Sequence, residues 1–441
     1  MEAHKWLEVT GAVLDLKGGA VTRGTESMLT ELAGRVTVDL VGMNPESFEG
    51  LGIFGAVSAR IGLTAQVSNL AFLDAYLQSA PWLHLSGGVG ALTVDVNVQD
   101  GEFKEGSKVA ADVKDIAARF KSYSVVGDGS VRLAVQSVEG APQTALGVDF
   151  LDFAITRDGD EAPHVKGKGF RVAATTADVA LDQPFTSLDV VMDLPEAEIP
   201  DLAVYNSYLP RDVGLALRSG HGTVHGRLQV STGEGLCHGE LFLDGHDVRA
   251  TLDDVTLRGQ VAVHVVVPSG NLETGKYDAS GTTLHLNGVS VVSGGSSRAG
   301  KDDSSGWWAN IRLPAGKVAV GAPIFLDANL TTSFRDTVPF ITVFSEKEPL
   351  PGWIRGLLAV RPVTGTTRVQ LGDEILRVSE FKLNAGQFEV LLELRRRKEM
   401  VGKLYARFGK LSIAMGMAPN KEGHFQLFNA KTWYDAEPNP E

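Results

Sequence analysis

Apolar and polar residues take turns along much of this 441-residue chain, the period of a β-strand with one covered face and one wet face. Leu92-Thr-Val94-Asp-Val96-Asn-Val98 sets its apolar residues at even positions, and Val255-Thr-Leu257-Arg-Gly259-Gln-Val261-Ala-Val263-His-Val265 sets them at odd ones. Both predict long strands. The same alternation predicts strands at Val36–Leu40, Val131–Val135, Leu146–Phe150, Phe170–Ala174, Leu284–Leu286, Val369–Leu371 and Phe388–Leu394. Helical spacing is confined to Leu70 with Leu73 and Leu77, Leu202 with Tyr205 and Leu209, and Met28 with Leu32. Each predicts a few turns at most, and Pro210 closes the second.

The chain also repeats itself, which sets architecture before any motif does. Leu70–Val135 aligns without a gap to Leu202–Val267, an offset of 132 with 17 identities in 66 positions, where average composition gives about four. Leu70/Leu202, Leu77/Leu209, Gly88/Gly220, Gly90/Gly222, Val98/Val230, Asp115/Asp247 and Val131/Val263 keep this register. Leu14-Asp-Leu16-Lys-Gly18 recurs as Leu284-His-Leu286-Asn-Gly288 at an offset of 270, and Val179-Ala180 with Pro184 recurs as Val318-Ala319 with Pro323 at 139. A loop insertion at Ser293–Gly306, rich in Ser, Gly and Asp, accounts for the difference between 132 and 139. Three tandem units follow: 1–135, 136–267 and a divergent 268–434, with 435–441 as a disordered tail.

A unit of alternating strands cannot bury its apolar face alone, so adjoining units are expected to share one continuous face. The expected fold is all-β with few short helices: a long, twisted, mainly antiparallel sheet curled into an elongated groove. With 50 Gly and only 7% aromatic residues, such a groove is lined by small and branched side chains, a slot suited to acyl chains. Its expected lining is Leu92, Val94, Val96 and Val98 from one strand, Val224, Leu228 and Val230 from the equivalent strand, and Leu257, Val261, Val263 and Val265 from a third. Each of these also fits an ordinary sheet core.

Pro200-Asp-Leu-Ala-Val-Tyr-Asn-Ser-Tyr-Leu-Pro210, followed by Leu215-Ala-Leu217-Arg-Ser-Gly220-His-Gly222 and an alternating strand to Val230, resembles the repeated unit of the AsmA and TamB group of bacterial envelope proteins, which share the architecture of bridge-like lipid-transfer proteins. Asn69–Val98 repeats it, and Val369-Gln-Leu371-Gly372-Asp373, Phe381 and Gly402-Lys-Leu-Tyr-Ala-Arg-Phe-Gly409 resemble the way such chains finish. The resemblance implies a non-enzymatic protein of the periplasm or cell envelope. Its partners would be phospholipid acyl chains and an inner-membrane anchor or envelope protein, and its role lipid movement in support of the outer membrane. One departure is expected from the residues: Met1–Lys17 has no basic stretch leading into an apolar one, so neither signal nor anchor is read there.

Charge narrows the partners. A net charge of −13, spread along the chain, argues against nucleic acid, and the short run Arg395–Lys398 reads as an exposed strand end or turn. Gly50–Val67 is interrupted by Arg60 and does not read as a membrane helix. The single cysteine, Cys237, excludes an intramolecular disulfide.

Candidate chemistry is sparse. His221, His225, Cys237, His238 and His246 are the densest set of zinc-ligand types, yet their spacing matches no familiar pattern, and the counterparts of His221 and His225 in the preceding unit are Val89 and Thr93. No metal and no cofactor are expected. Gly294-Gly-Ser-Ser-Arg-Ala-Gly300 lacks the ending of a phosphate loop, and Asp253-Asp254 and Asp302-Asp303 read as exposed pairs rather than catalytic carboxylates. No catalytic residue is assigned. A structural or adhesive β-repeat protein without lipid cargo is the alternative reading; a carbohydrate-active enzyme and an outer-membrane barrel fit less well.

Overall fold

The computed structural model describes residues 7–43, 57–75, 77–78, 82–180, 185–210, 214–252, 255–292, 306–321, 323–337, 361–372, 375–397, 399–417 and 424–439. Among them are 27 strands, two short 3-10 helices, Leu70–Ala75 and Leu202–Tyr208, and one α-helix, α1 (Ala430–Ala436). The chain is all-β and antiparallel, as the alternation predicts. Two expectations need correction. Met28 and Leu32 do not form a helix; they lie in a strand, Glu26–Met43, because hydrogen-bonded ladders on both sides outweigh one pair at helical spacing. The helix α1 runs through Asp435 and Ala436, the first residues of the expected tail. Apart from Gly306, the expected loop 293–306 lies outside the described residues.

The chain divides into two compact units, Met1–Ala197 with Gly226–Cys237, and Glu198–His225 with His238–Glu441. The strands of the first are β1 (Leu7–Lys17), β2 (Val21–Arg23), β3 (Glu26–Met43), β4 (Val57–Val67), β5 (Leu83–Leu85), β6 (Val89–Gln99), β7 (Glu102–Phe103), β8 (Lys108–Phe120), β9 (Tyr123–Val138), β10 (Ala141–Phe150), β11 (Phe153–Arg157), β12 (Val165–Gly167), β13 (Arg171–Thr176) and β14 (Asp189–Ile199), the last up to Ala197. The ladder runs β1, β3, β4, β6, β8, β9. β9 then carries two partners end to end, β10 along Gly129–Val138 and β11 along Tyr123–Val126. β10 leads on to β13 and β14.

The second unit holds most of β15 (Leu215–Ser231) and β16 (Leu236–Leu252), and then β17 (Val255–Asn271), β18 (Lys276–Asp278), β19 (Thr283–Val292), β20 (Trp307–Ala319), β21 (Phe325–Phe334), β22 (Val363–Gly372), β23 (Ile375–Ala385), β24 (Phe388–Arg396), β25 (Met400–Phe408), β26 (Leu411–Met417) and β27 (His424–Gln426). From β19 onward it is a meander in which each strand pairs with the next, and β17 pairs with β19. Long strands need twist to pack, and bulges supply it. Asp115 and Glu380 sit at such bulges with left-handed φ of 53° each, and their amides donate to a carboxylate on the following strand, Asp128 at 3.0 Å and Glu393 at 2.9 Å.

The offset of 132 residues is visible in side-chain roles. Asn69 and Asp201 each accept from the amide two residues on, at 2.8 and 2.9 Å, and so start the two 3-10 helices. Asp74 and Asn206 each accept from the amide of a strand residue, Leu85 at 2.9 Å and Leu217 at 2.7 Å. Leu70 and Leu202, 1% and 4% exposed, pack against Gly88 and Gly220, where a Cβ would stand 3.1 Å from the leucine Cδ1 in both places. Those glycines have φ of +108° and +141°, so the position demands glycine on two grounds.

Candidate functional site: half-open apolar sheet faces

Antiparallel partners share a face, so register converts alternation into rows. In the second unit Val263, Leu284, Ile311 and Thr332 follow one another on neighbouring strands, and Gly365, Leu383, Val390, Ala406 and Ile413 continue the row. A second row on that face runs Ala328, Val369, Val378, Leu394, Gly402, Met417. The adjacent row on the other face reads His264, Thr283, Arg312, Thr331, Thr366, Lys382, all polar. It turns apolar only at Leu391, Tyr405 and Ala414, which α1 covers with Ala430 and Tyr434.

The apolar face is closed over two buried clusters, one of them formed by Ala279, Leu313 and Ala328, and half-buried elsewhere. Val289, Trp307, Ala309, Phe334, Val363, Leu383 and Phe388 form a buried cluster whose aromatic rings fill the space between strands. Val390 packs against this cluster and is half-buried, and away from it Val263, Leu284, Ile311, Val378, Leu394 and Ile413 are half-buried too. A closed sheet core would bury such residues fully. In the first unit Leu16, Gly34, Leu63, Val94, Val109, Leu133, Leu146, Ala174 and Val190 make the corresponding row across nine strands.

The sequence-derived lining residues divide between these two conditions. Leu92, Val96 and Val98 are 6%, 3% and 2% exposed, and the latter two pack with Ala59, Phe103 and Val135. Val224 and Val230 are buried as well. Val94, Leu228, Leu257, Val261, Val263 and Val265 are half-buried. Sequence reasoning did not assign Leu284, Ile311, Val378, Val390, Leu394 or Ile413 to the lining, although Leu284 and the 388–394 stretch carry the same period of two.

The histidines lie on a polar face instead. His225 and His264 stack on opposite sides of Phe242, with ring centroids 4.8 and 4.1 Å away and planes 9° apart, and His264 also meets Glu240 at 3.0 Å. The rings of His221 and His246 are 5.9 Å apart. Among the described residues no group of three or more His, Cys, Asp or Glu is placed to hold a metal ion. Cys237 is buried, which pushes its thiol up, away from the reactive thiolate.

Carboxylates with displaced titration serve as cross-strand and turn ties. Arg368 grips Asp327 through two nitrogens at 3.1 and 3.0 Å and, with Gln370 at 3.2 Å, holds it below the usual carboxylate range. Asp278 is lowered by the hydroxyl and amide of Ser280. For Asp178, burial pushes upward but donors led by the amide and hydroxyl of Thr186 outweigh it. No helix among the described residues is long and apolar enough to cross a membrane. Compared with protein-family models, curated proteins and solved structures, the chain finds no match.

Proposed function

We propose that this is a non-enzymatic protein of the periplasm or cell envelope whose apolar sheet faces form a groove that binds phospholipid acyl chains, or passes them between membranes, in support of the outer membrane. The observation that carries the reading is the row from Val263 to Ile413: apart from Thr332 it is built of apolar residues and glycine, Val263, Leu284, Ile311, Val390 and Ile413 in it are only half-buried, and the adjacent row on the reverse is polar from His264 to Lys382. Such a face favours aliphatic chains without specific polar contacts.

The magnitude suits transfer. Burying a methylene is worth about 0.8 kcal/mol, so a chain of roughly 15 methylenes with half its surface covered gains about 6 kcal/mol, a dissociation constant in the tens of micromolar. That is enough for occupancy near a bilayer and weak enough for release. Mass spectrometry of protein purified without detergent tests the reading. Stoichiometric phospholipid is the expected result, and a protein that stays lipid-free after incubation with phospholipid vesicles overturns it.

A further inference from the structure

Among the described residues β1 pairs with β3 along one edge and with no strand along the other, and its Val13 and Leu14 are 57% and 55% exposed. An unpaired edge presents a row of backbone donors and acceptors to any strand that fits it.

The chain holds two further copies of β1 in which that edge is filled. In β1, Leu14-Asp15-Leu16 stand opposite Val36, Arg35 and Gly34, and Arg35 donates to Asp15 at 2.8 Å. Val148-Asp149-Phe150 take the same place in β10, where Val148 faces Val172 and Arg171 donates to Asp149. Leu284-His285-Leu286 take it in β19, where Leu284 faces Ile311 and His285 meets Asn310 at 2.7 Å. On their other edge both copies carry a long strand in one register. β9 sets Val131, Ser130 and Gly129 against Val148, Asp149 and Phe150, and β17 sets Val263, Ala262 and Val261 against Leu284, His285 and Leu286. Val131 and Val263 are themselves related by the offset of 132. Beside β9, Val148 is 7% exposed, and beside β17, Leu284 is half-buried.

We propose that the free edge of β1 takes up an antiparallel strand of a partner polypeptide, in the place that β9 and β17 occupy on β10 and β19. The two filled copies give the chemistry of that strand: valine opposite Leu14, a small uncharged residue opposite Asp15, and glycine or valine opposite Leu16. A second copy of this chain has no such strand to offer, because β9 is held between β8 and β10 and β17 is already paired with β19. The uptake stands independently of lipid on the sheet face.

The test uses the full chain and a labelled synthetic peptide with the sequence of β17, Val255–Asn271. Fluorescence anisotropy is expected to show saturable binding to wild type, weakened severalfold by Leu14→Asp at unchanged circular dichroism. Register is read by oxidising full-length Leu14→Cys with a peptide carrying either Val263→Cys or the more distant Leu257→Cys, since only side chains directly opposite come within disulfide reach. Cys237 is buried and does not compete. The Val263→Cys peptide is expected to link about tenfold more than the Leu257→Cys peptide, and Leu151→Cys, at a 71% exposed position of the same unit, to link neither in excess. No saturable binding, binding undiminished by Leu14→Asp, equal linkage of the two peptides, equal linkage at Leu151→Cys, or a Leu14→Cys protein that links to its own copy in preference to the peptide would each overturn the proposal.

Discussion

The ammonium of Lys403 donates to the carbonyl oxygen of Tyr434 at 3.0 Å and stands 4.8 Å from the centre of its ring. Lys403 is 5% exposed and donates also to the Glu437 carbonyl, so a buried cation satisfies carbonyls that the C-terminus of α1 leaves unpaired. Lys403→Met keeps the stem and removes the charge. It should cost about 2–3 kcal/mol and raise hydrogen exchange across 430–437 ahead of the strands; exchange that stays slow there would refute the capping role.

Tyr434 itself predicts an alkaline limit. Burial above all, with Glu393 and Asp435 nearby, pushes its hydroxyl up to about 12 from 10.0. Between those values the unfolded chain has released a proton that the folded protein retains, so stability falls as pH rises from 10 toward 12. Tyr434→Phe should remove that component of the decline, seen by comparing denaturant midpoints of the two proteins across this range.

Gly220 offers a contrast with Gly147. A Cβ at Gly220 would meet Val248 Cα at 3.0 Å and Leu202 Cδ1 at 3.1 Å under a φ of +141°, while one at Gly147 meets nothing within 4 Å. Gly220→Val should therefore cost about 3 kcal/mol or more, and Gly147→Ala less than about 1 kcal/mol, by chemical denaturation. Gly88→Val should behave like Gly220→Val, because Leu70 occupies the same place there.

Two aspartate substitutions separate the buried core from the half-buried sheet face. Val96 is 3% exposed, and a carboxylate there has no partner, so Val96→Asp should unfold or precipitate the first unit. Val263 is half-buried. Val263→Asp should keep the strand signal in circular dichroism but reduce retained phospholipid severalfold; lipid retention equal to wild type would count against the groove.

Much of the strand pattern was open to reading in the chain, because a side-chain period of two is a local property. Alternation located β6, β9, β17 and β24, and the identities at an offset of 132 marked Leu70, Gly88, Leu202 and Gly220, which recur in the same packing. Weaker signals misled or were silent: Met28 and Leu32 sit in β3, and the seven residues of α1 are too few to show a helical period.

Residue order therefore determined which side chains share a face, since neighbours along a strand must point to opposite sides. It could not determine how far each is covered. That depends on what registers beside it, such as Leu284 beside both Val263 and Ile311, and on cover supplied from afar, such as Tyr434 over Tyr405. Val96 and Val263 read alike in the chain; only tertiary packing buries the first and leaves the second half-open, because burial is a property of assembled strands and not of their order.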